Sequence, residues 1–102
     1  MKYQLVLQFA ASSTDDFDRV IAFETKLAEH FGTSSMVDGH DFGSGECNVC
    51  VHTDEPAVAF EHAHHVAKCQ GLLDDLRAAY REVGAQKFEV VWPTNLTLFS
   101  VK

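Results

Sequence analysis

The feature that most constrains the fold is a glycine-rich segment that predicts a β-hairpin. Two β-prone stretches, 36–42 and 46–52, flank the tripeptide Gly-Ser-Gly at 43–45. Glycine adopts the positive φ angles that a tight hairpin turn requires. Apolar side chains occupy every second position of the second stretch, a period typical of a strand with one buried face. The hairpin therefore predicts an antiparallel sheet with helices packed against one side.

This alternation assigns the side chains of the second hairpin strand to two faces of the sheet. Cys47, Val49 and Val51 are expected to pack against the helices. Residues 2–9 alternate in the same way, so their polar side would extend the open face if the two strands are neighbours. On the second hairpin strand, the open face is expected to carry Glu46, Asn48, Cys50 and His52.

An amphipathic helix is predicted over residues 14–31, where apolar residues recur at helical spacing. Ser13 or Thr14 would cap its N-terminus, because a side-chain oxygen there accepts a hydrogen bond from a free backbone N–H. Gly32 follows as the signal that ends the helix.

A second helix is predicted to begin after a cap at Asp54, with Pro56 in its first turn, and to end at Gly71. The next segment, 76–83, allows two interpretations. It continues the apolar helical stripe, or it forms a strand that pairs with 87–92. We favour the strand, because one helix running to residue 83 would be about 43 Å long at 1.5 Å per residue. That length exceeds a sheet whose strands span about 20 Å.

The order of these elements predicts an α+β fold, namely a ferredoxin-like sandwich of the form βαββαββ with both helices on one face of an antiparallel sheet. Residues 1–102 are expected to form a single domain with a strand-prone tail at 94–102. The other face of the sheet would be solvated or covered by a partner. Together with the apolar tail, this one-sided architecture leads us to expect a homodimer.

Composition excludes several classes of partner. A net charge of −7 argues against nucleic acid and against an anionic membrane surface. No apolar run approaches the roughly 20 residues that a membrane span needs. The first residues lack the apolar segment of a signal peptide, and three cysteines cannot form a closed set of disulfides. We therefore expect an acidic protein of the reducing cytoplasm.

The hairpin also carries the main candidates for ligand binding. A two-residue turn at 43–44 would set Asp41 opposite Glu46. A three-residue turn would instead set His40 opposite Asn48. Either arrangement would gather carboxylate, imidazole and amide groups, which bind divalent metals or act as acid–base pairs. The simpler interpretation, which we favour, is that the turn residues cap their own backbone. The candidate ligand-binding residues are Asp38, His40, Asp41, Glu46, Asn48 and His52.

Cys47 and Cys50 have the spacing of a C-x-x-C motif. Residues three apart on a strand lie on opposite faces, so the two thiols cannot hold one metal ion. We expect Cys47 in the core and Cys50 on the open face.

The second helix contains a cluster of histidines. His62, His65 and Cys69 would share one face and supply half of a zinc site, with His64 in solvent. The same face continues an apolar stripe, so we favour a structural or surface role. The sequence predicts no metal site and no cofactor.

One resemblance to a known family is carried by the hairpin and by the strand near the C-terminus. The segment 38–48 reads Asp-Gly-His-Asp-Phe-Gly-Ser-Gly-Glu-Cys-Asn, and Val90-Val91-Trp92-Pro93 ends an apolar strand. These features resemble a family of small uncharacterised bacterial proteins that share a G-H-D-x-G-S-G-E-x-N hairpin. The resemblance implies a ferredoxin-like fold and a strand at 76–83, and it implies no activity. The tail after Pro93 and the histidine-rich helix depart from the family pattern.

These observations favour a non-catalytic binding module that uses the open sheet face and the 38–48 hairpin to bind a small molecule or a protein. No complete catalytic set can be assembled from the sequence. The alternative is a small metal-dependent or acid–base enzyme that uses His40, Asp41, Glu46 and His52. A third possibility is an acidic antagonist of a basic partner protein, which the net charge of −7 permits.

Overall fold

The computed structural model describes residues 1–94 and Phe99. The elements are, in chain order, β1 (Tyr3–Ala10), α1 (Thr14–Phe31), β2 (Ser35–Gly43), β3 (Glu46–Thr53), α2 (Pro56–Cys69), β4 (Arg77–Glu82) and β5 (Glu89–Trp92). All described strands belong to one antiparallel sheet with the spatial order β2-β3-β1-β4-β5. A short 3-10 turn precedes β4.

Two predictions about the C-terminal half have different outcomes. The strand predicted at 76–83 is confirmed by β4. The strand-prone tail at 94–102 lies outside the described residues, apart from Thr94 and Phe99.

The central strand β1 supplies the middle of the hydrophobic core. Leu5, Leu7 and Phe9 are buried, and so are the residues in register with them on β3. The buried residues of both helices join the same cluster. Because alternate residues of β1 and β3 belong to this cluster, both helices pack on one face of the sheet. The predicted orientation of Cys47, Val49 and Val51 is confirmed.

Helix α1 begins at a reciprocal cap. Ser13 Oγ accepts a hydrogen bond from the Asp16 N–H at 3.2 Å, and Asp16 Oδ2 accepts one from the Ser12 N–H at 3.0 Å. The bond from Ser12 is the main cause of the lowered pKa of Asp16. One helix turn after another then buries an apolar side chain, including Phe23, whose ring packs edge-on against Phe9 with centroids 4.9 Å apart.

Helix α2 begins differently from the prediction. Glu55, not Asp54, is the N-cap residue, and no side chain caps this helix. Asp54 instead accepts a hydrogen bond from the Lys2 N–H at 2.9 Å, because the ends of β1 and β3 meet there. Pro56 occupies the first turn as expected. Neither helix of the described chain is both long enough and apolar enough to cross a lipid bilayer.

The hairpin turn follows neither of the two predicted registers. Gly43 lies opposite Glu46, and the turn consists of Ser44 and Gly45, with φ angles of 54° and 77°. Two consecutive positive φ angles define a turn whose twist matches that of the flanking strands. The register of β2 also shifts between Val37 and His40, where β2 has one residue more than its partner strand.

The second face of the sheet, opposite the helices, is less open than the sequence predicts. Val6, Gln8 and Asn48 are only 2%, 4% and 2% exposed. Alternation places these side chains on this face, and Phe88 and Phe99 border it from outside the strand register. The centre of the face is therefore shielded from solvent within one chain.

Replacing Phe23 by alanine is expected to lower the free energy of unfolding by about 3 to 5 kcal/mol, since a fully buried aromatic side chain leaves a cavity when it is removed. Urea denaturation followed by circular dichroism measures this loss. Ile21→Ala is the matched control, because Ile21 lies on the same helix and is 41% exposed. A loss for Phe23→Ala as small as that of the control would contradict the assigned core.

Candidate binding face of the sheet

Polar and apolar side chains form cross-strand rows on the second face. The register of the strands aligns residues of β3, β1 and β4, and β2 or β5 extends each row. Polar rows at the two ends enclose a mainly apolar row between them. In order along the strands, the rows are Met36, His52, Gln4 and Arg81; Cys50, Val6, Ala79 and Val90; and Asp41, Asn48, Gln8 and Arg77.

The shifted register of β2 brings two predicted site residues together. His52 Nε2 lies 3.0 Å from Asp38 Oδ2. Asp38 belongs to the bulged part of β2, and its side chain is 58% exposed. An exposed pair of this kind contributes little to stability, but it presents a polar patch at the edge of the face.

His40 lies away from this patch. Its Nδ1 atom is 3.0 Å from Glu24 Oε2 of α1. Its ring also contacts Phe42, with centroids 4.8 Å apart. Since His40 is in register with the core residue Val49, its side chain belongs to the helix side of the sheet. The prediction that His40 joins the other polar groups on one face is therefore wrong.

The remaining predicted residues occupy the end of the face nearest the hairpin turn. Asn48 Oδ1 accepts a hydrogen bond from Gln8 Nε2 at 3.0 Å, and Asp41 lies opposite Asn48 on β2. Glu46 does not face Asp41, and its Oε2 atom is buried without a partner in the described chain. Glu46 lines a cleft of about 440 Å³ together with Arg77 and the 3-10 turn.

Sequence reasoning did not identify Arg81 as a candidate site residue. Arg81 Nε donates a hydrogen bond to Gln4 Oε1 at 2.9 Å, and Nη1 donates one to the Ala85 carbonyl oxygen at 3.0 Å. The guanidinium carbon lies 5.0 Å from the centroid of the Phe88 ring. A strand at 76–83 aligns Arg81 with the polar side of β1, so the sequence carried a signal. The pairing of β4 with β1 was needed to interpret it.

A cleft of about 400 Å³ lies beside Arg81 on this face. We call it the sheet-face cleft. Its lining combines apolar and amide side chains with one thiol and one guanidinium group. The lining residues are Gln4, Val6, Cys50, Arg81, Gln86, Phe88 and Phe99.

The three cysteines are free thiols in three environments. Burial raises the pKa of Cys47 to about 12. Burial also raises the pKa of Cys50, against a hydrogen bond from Gln4 that lowers it. The predicted placement of Cys47 in the core and of Cys50 on the other face is confirmed, since Val6, on the face away from the core, lies in register with Cys50.

His30 of α1 lies beside the histidines of α2, a contact that the sequence did not indicate. The ring of His30 lies 5.4 Å from that of His65 and 6.2 Å from that of His62. His65 Nε2 is 3.8 Å from Cys69 Sγ. No three potential ligands of the described chain are arranged to hold a metal ion. His64 is half-buried rather than solvated, because its ring packs on Trp92.

The chain matches no protein-family profile, no curated protein and no solved structure.

We expect a thiol reagent such as DTNB to modify Cys69 rapidly, Cys50 slowly, and Cys47 only after unfolding, because burial keeps Cys47 neutral and inaccessible. Time-resolved labelling with mass spectrometry assigns each thiol. Cys69→Ser should remove only the fast phase, and rapid labelling of Cys47 in the folded protein would refute this assignment.

The raised pKa of Cys47 also affects the pH dependence of stability. The contribution of Cys47 to stability is fully present below pH 9, and it falls as the pH rises toward about 12.

Proposed function

We propose that this chain is a binding module that takes a small molecule in the sheet-face cleft. The cleft itself carries the proposal, because its volume of about 400 Å³ is within the range of small-molecule sites. Such sites are mostly apolar, with a few polar groups that orient the ligand. Val6, Phe88 and Phe99 provide apolar contact here, and Gln4 and Arg81 provide polar contact.

The hairpin contributes to the same face in this proposal. Asp38 and His52 form a polar pair in the row that also contains Gln4 and Arg81. Asn48 adds a buried amide in the opposite polar row. Of the residues predicted to bind ligand, we therefore keep Asp38, Asn48 and His52, and we add Arg81.

The finer fold assignment belongs to the same proposal. A ferredoxin-like βαββαββ sandwich is supported by the position of β1 between β3 and β4, with β2 beyond β3 and an additional strand β5 beyond β4. The proposal also includes the resemblance of the hairpin sequence to the small bacterial family.

We further propose a cytoplasmic location, which is consistent with three free thiols.

The alternative, a small metal-dependent or acid–base enzyme, has less support. General acid–base catalysis needs its groups within hydrogen-bond reach of one substrate. His40 and His52 belong to opposite sides of the sheet, and each is hydrogen-bonded to a different carboxylate, Glu24 and Asp38 respectively. We therefore propose binding rather than catalysis as the role of this face.

Nuclear magnetic resonance screening of a fragment library tests the binding proposal. We expect ligands whose chemical-shift changes cluster at Val6, Cys50 and Arg81, and we expect Phe88→Ala to weaken them about fivefold or more by removing an aromatic wall. Val83→Ala is the control, since this exposed residue lies outside the cleft lining. Shifts confined to the helices, or equal effects of both variants, would count against this site.

We also propose that the protein forms a homodimer through β2. Among the described strands β2 is an edge of the sheet, so its outer backbone groups are available to a second copy, and Met36 on it is 51% exposed. Light scattering after size-exclusion chromatography should give a mass near twice 11.3 kDa. Met36→Lys should shift this mass toward the monomer, whereas Val58→Lys on α2 should not. A monomer mass for the wild type at all concentrations would disprove the dimer.

A further inference from the structure

We infer that the ligand of the sheet-face cleft is a small organic anion, a carboxylate on a flat apolar body, and that Arg81 binds its carboxylate. This inference rests on the proposed binding function and names the class of ligand. The observation that carries it is the incomplete pairing of Arg81, a half-buried cation at the wall of the cleft.

The charge of Arg81 has no counter-ion within residues 1–94. The ion pairs of that range involve Lys26, His40 and His52, and none involves Arg81. The chain has 15 acidic and 8 basic residues, so carboxylates are plentiful. Cations that lose solvent are normally paired with an anion. An anionic ligand would supply the missing partner.

The hydrogen bonds of Arg81 leave room for that anion. A guanidinium group has five N–H donors. Two of them are used, by Gln4 and by the Ala85 carbonyl oxygen. Within the described part of the chain, three donors therefore remain, on the two terminal nitrogens. Terminal guanidinium nitrogens form the fork that binds a carboxylate with two parallel hydrogen bonds.

The two existing bonds also hold the guanidinium group in position. Gln4 anchors Nε from the central strand, and Ala85 anchors Nη1 from the β4–β5 turn. Phe88 covers one face of the group at 5.0 Å. A fixed guanidinium loses less conformational entropy when it binds an anion than a free one does. In this arrangement Gln4 is a positioning residue for Arg81.

The surroundings of Arg81 define the rest of the ligand. Val6 forms a buried apolar floor, and the rings of Phe88 and Phe99 lie with centroids 5.4 Å apart. Aromatic walls favour flat apolar groups, which stack on them. Inorganic anions such as phosphate would use Arg81 but would leave these walls unfilled. An aromatic or otherwise planar carboxylate uses both features.

The test compares carboxylates with their neutral amides. Benzoate, phenylacetate and 3-phenylpropionate are each titrated beside the corresponding carboxamide into the wild-type protein, with binding followed by nuclear magnetic resonance. The carboxylate and the carboxamide of each pair have nearly the same shape but differ in charge. We expect the carboxylates to bind about tenfold or more tightly than the amides, as charge-assisted hydrogen bonds require.

Two arginine variants then locate the effect. Arg81→Gln should abolish the preference for carboxylates. Arg77→Gln is the matched control, because Arg77 lies on the same strand and outside the cleft lining. Its replacement by glutamine changes the net charge by the same amount. It should keep the preference. Circular dichroism of both variants verifies that they are folded, and the wild-type comparison needs no variant at all.

The outcomes separate this inference from the proposed function. Equal binding of carboxylates and amides in the cleft would overturn the inference that the ligand is an anion, and it would leave the binding function standing. A preference that survives Arg81→Gln would overturn the role of Arg81. If inorganic phosphate binds as tightly as the aromatic carboxylates, the inference that the ligand has a flat apolar body is overturned. If a broader fragment library also gives no shifts at the cleft, both proposals fail together.

Discussion

The structure depends on the pairing of β1 with two strands at once. β1 forms hydrogen-bonded ladders with β3 on one side and with β4 on the other. The ladder with β3 joins residues 36 to 50 positions apart, and the ladder with β4 joins residues 69 to 79 positions apart. Together they orient every side chain of the three strands. A shift of one residue in either ladder would exchange the two faces of the strand concerned. Core, second face and cleft therefore follow from the same set of backbone bonds.

The two faces of β1 illustrate two kinds of burial. The face toward the helices contains large apolar side chains such as Leu5 and Phe9, and packing against α1 and α2 stabilises it. The other face buries Val6 and also the polar side chain of Gln8. Buried polar groups are stable when they are hydrogen-bonded, and Gln8 donates to Asn48. A mixed apolar and polar surface of this kind suits recognition of a ligand that is itself mixed.

The polar groups that attract attention in the sequence are distributed by the register of the hairpin. A bulge in β2 directs Asp38 toward His52, while His40 pairs with Glu24 of α1. On α2, the ring of His65 lies near His30 and the ring of His64 packs on Trp92. His40, His52 and His64 thus each contact a different neighbour, whereas His62 and His65 both lie near His30. Since the imidazoles other than His52 belong to the helix side of the sheet, the binding proposal centres on Arg81 and not on a histidine cluster.

The sequence by itself determined the local structure. Alternation in β1 and β3, the helical spacing in α1 and the glycines of the hairpin depend on neighbours a few residues apart, so they were predicted correctly. Details set by contacts between distant segments were not. The cap of α2 differs because Asp54 accepts a hydrogen bond from Lys2. The hairpin register is a local detail that was also predicted wrongly, because the Gly-Ser-Gly pattern did not show that Ser44 and Gly45 would adopt the positive φ angles. The guanidinium of Arg81 reaches Gln4, 77 positions away, only because β4 lies beside β1. Tertiary structure decided the site, since strand pairing brings together residues whose proximity no local pattern encodes.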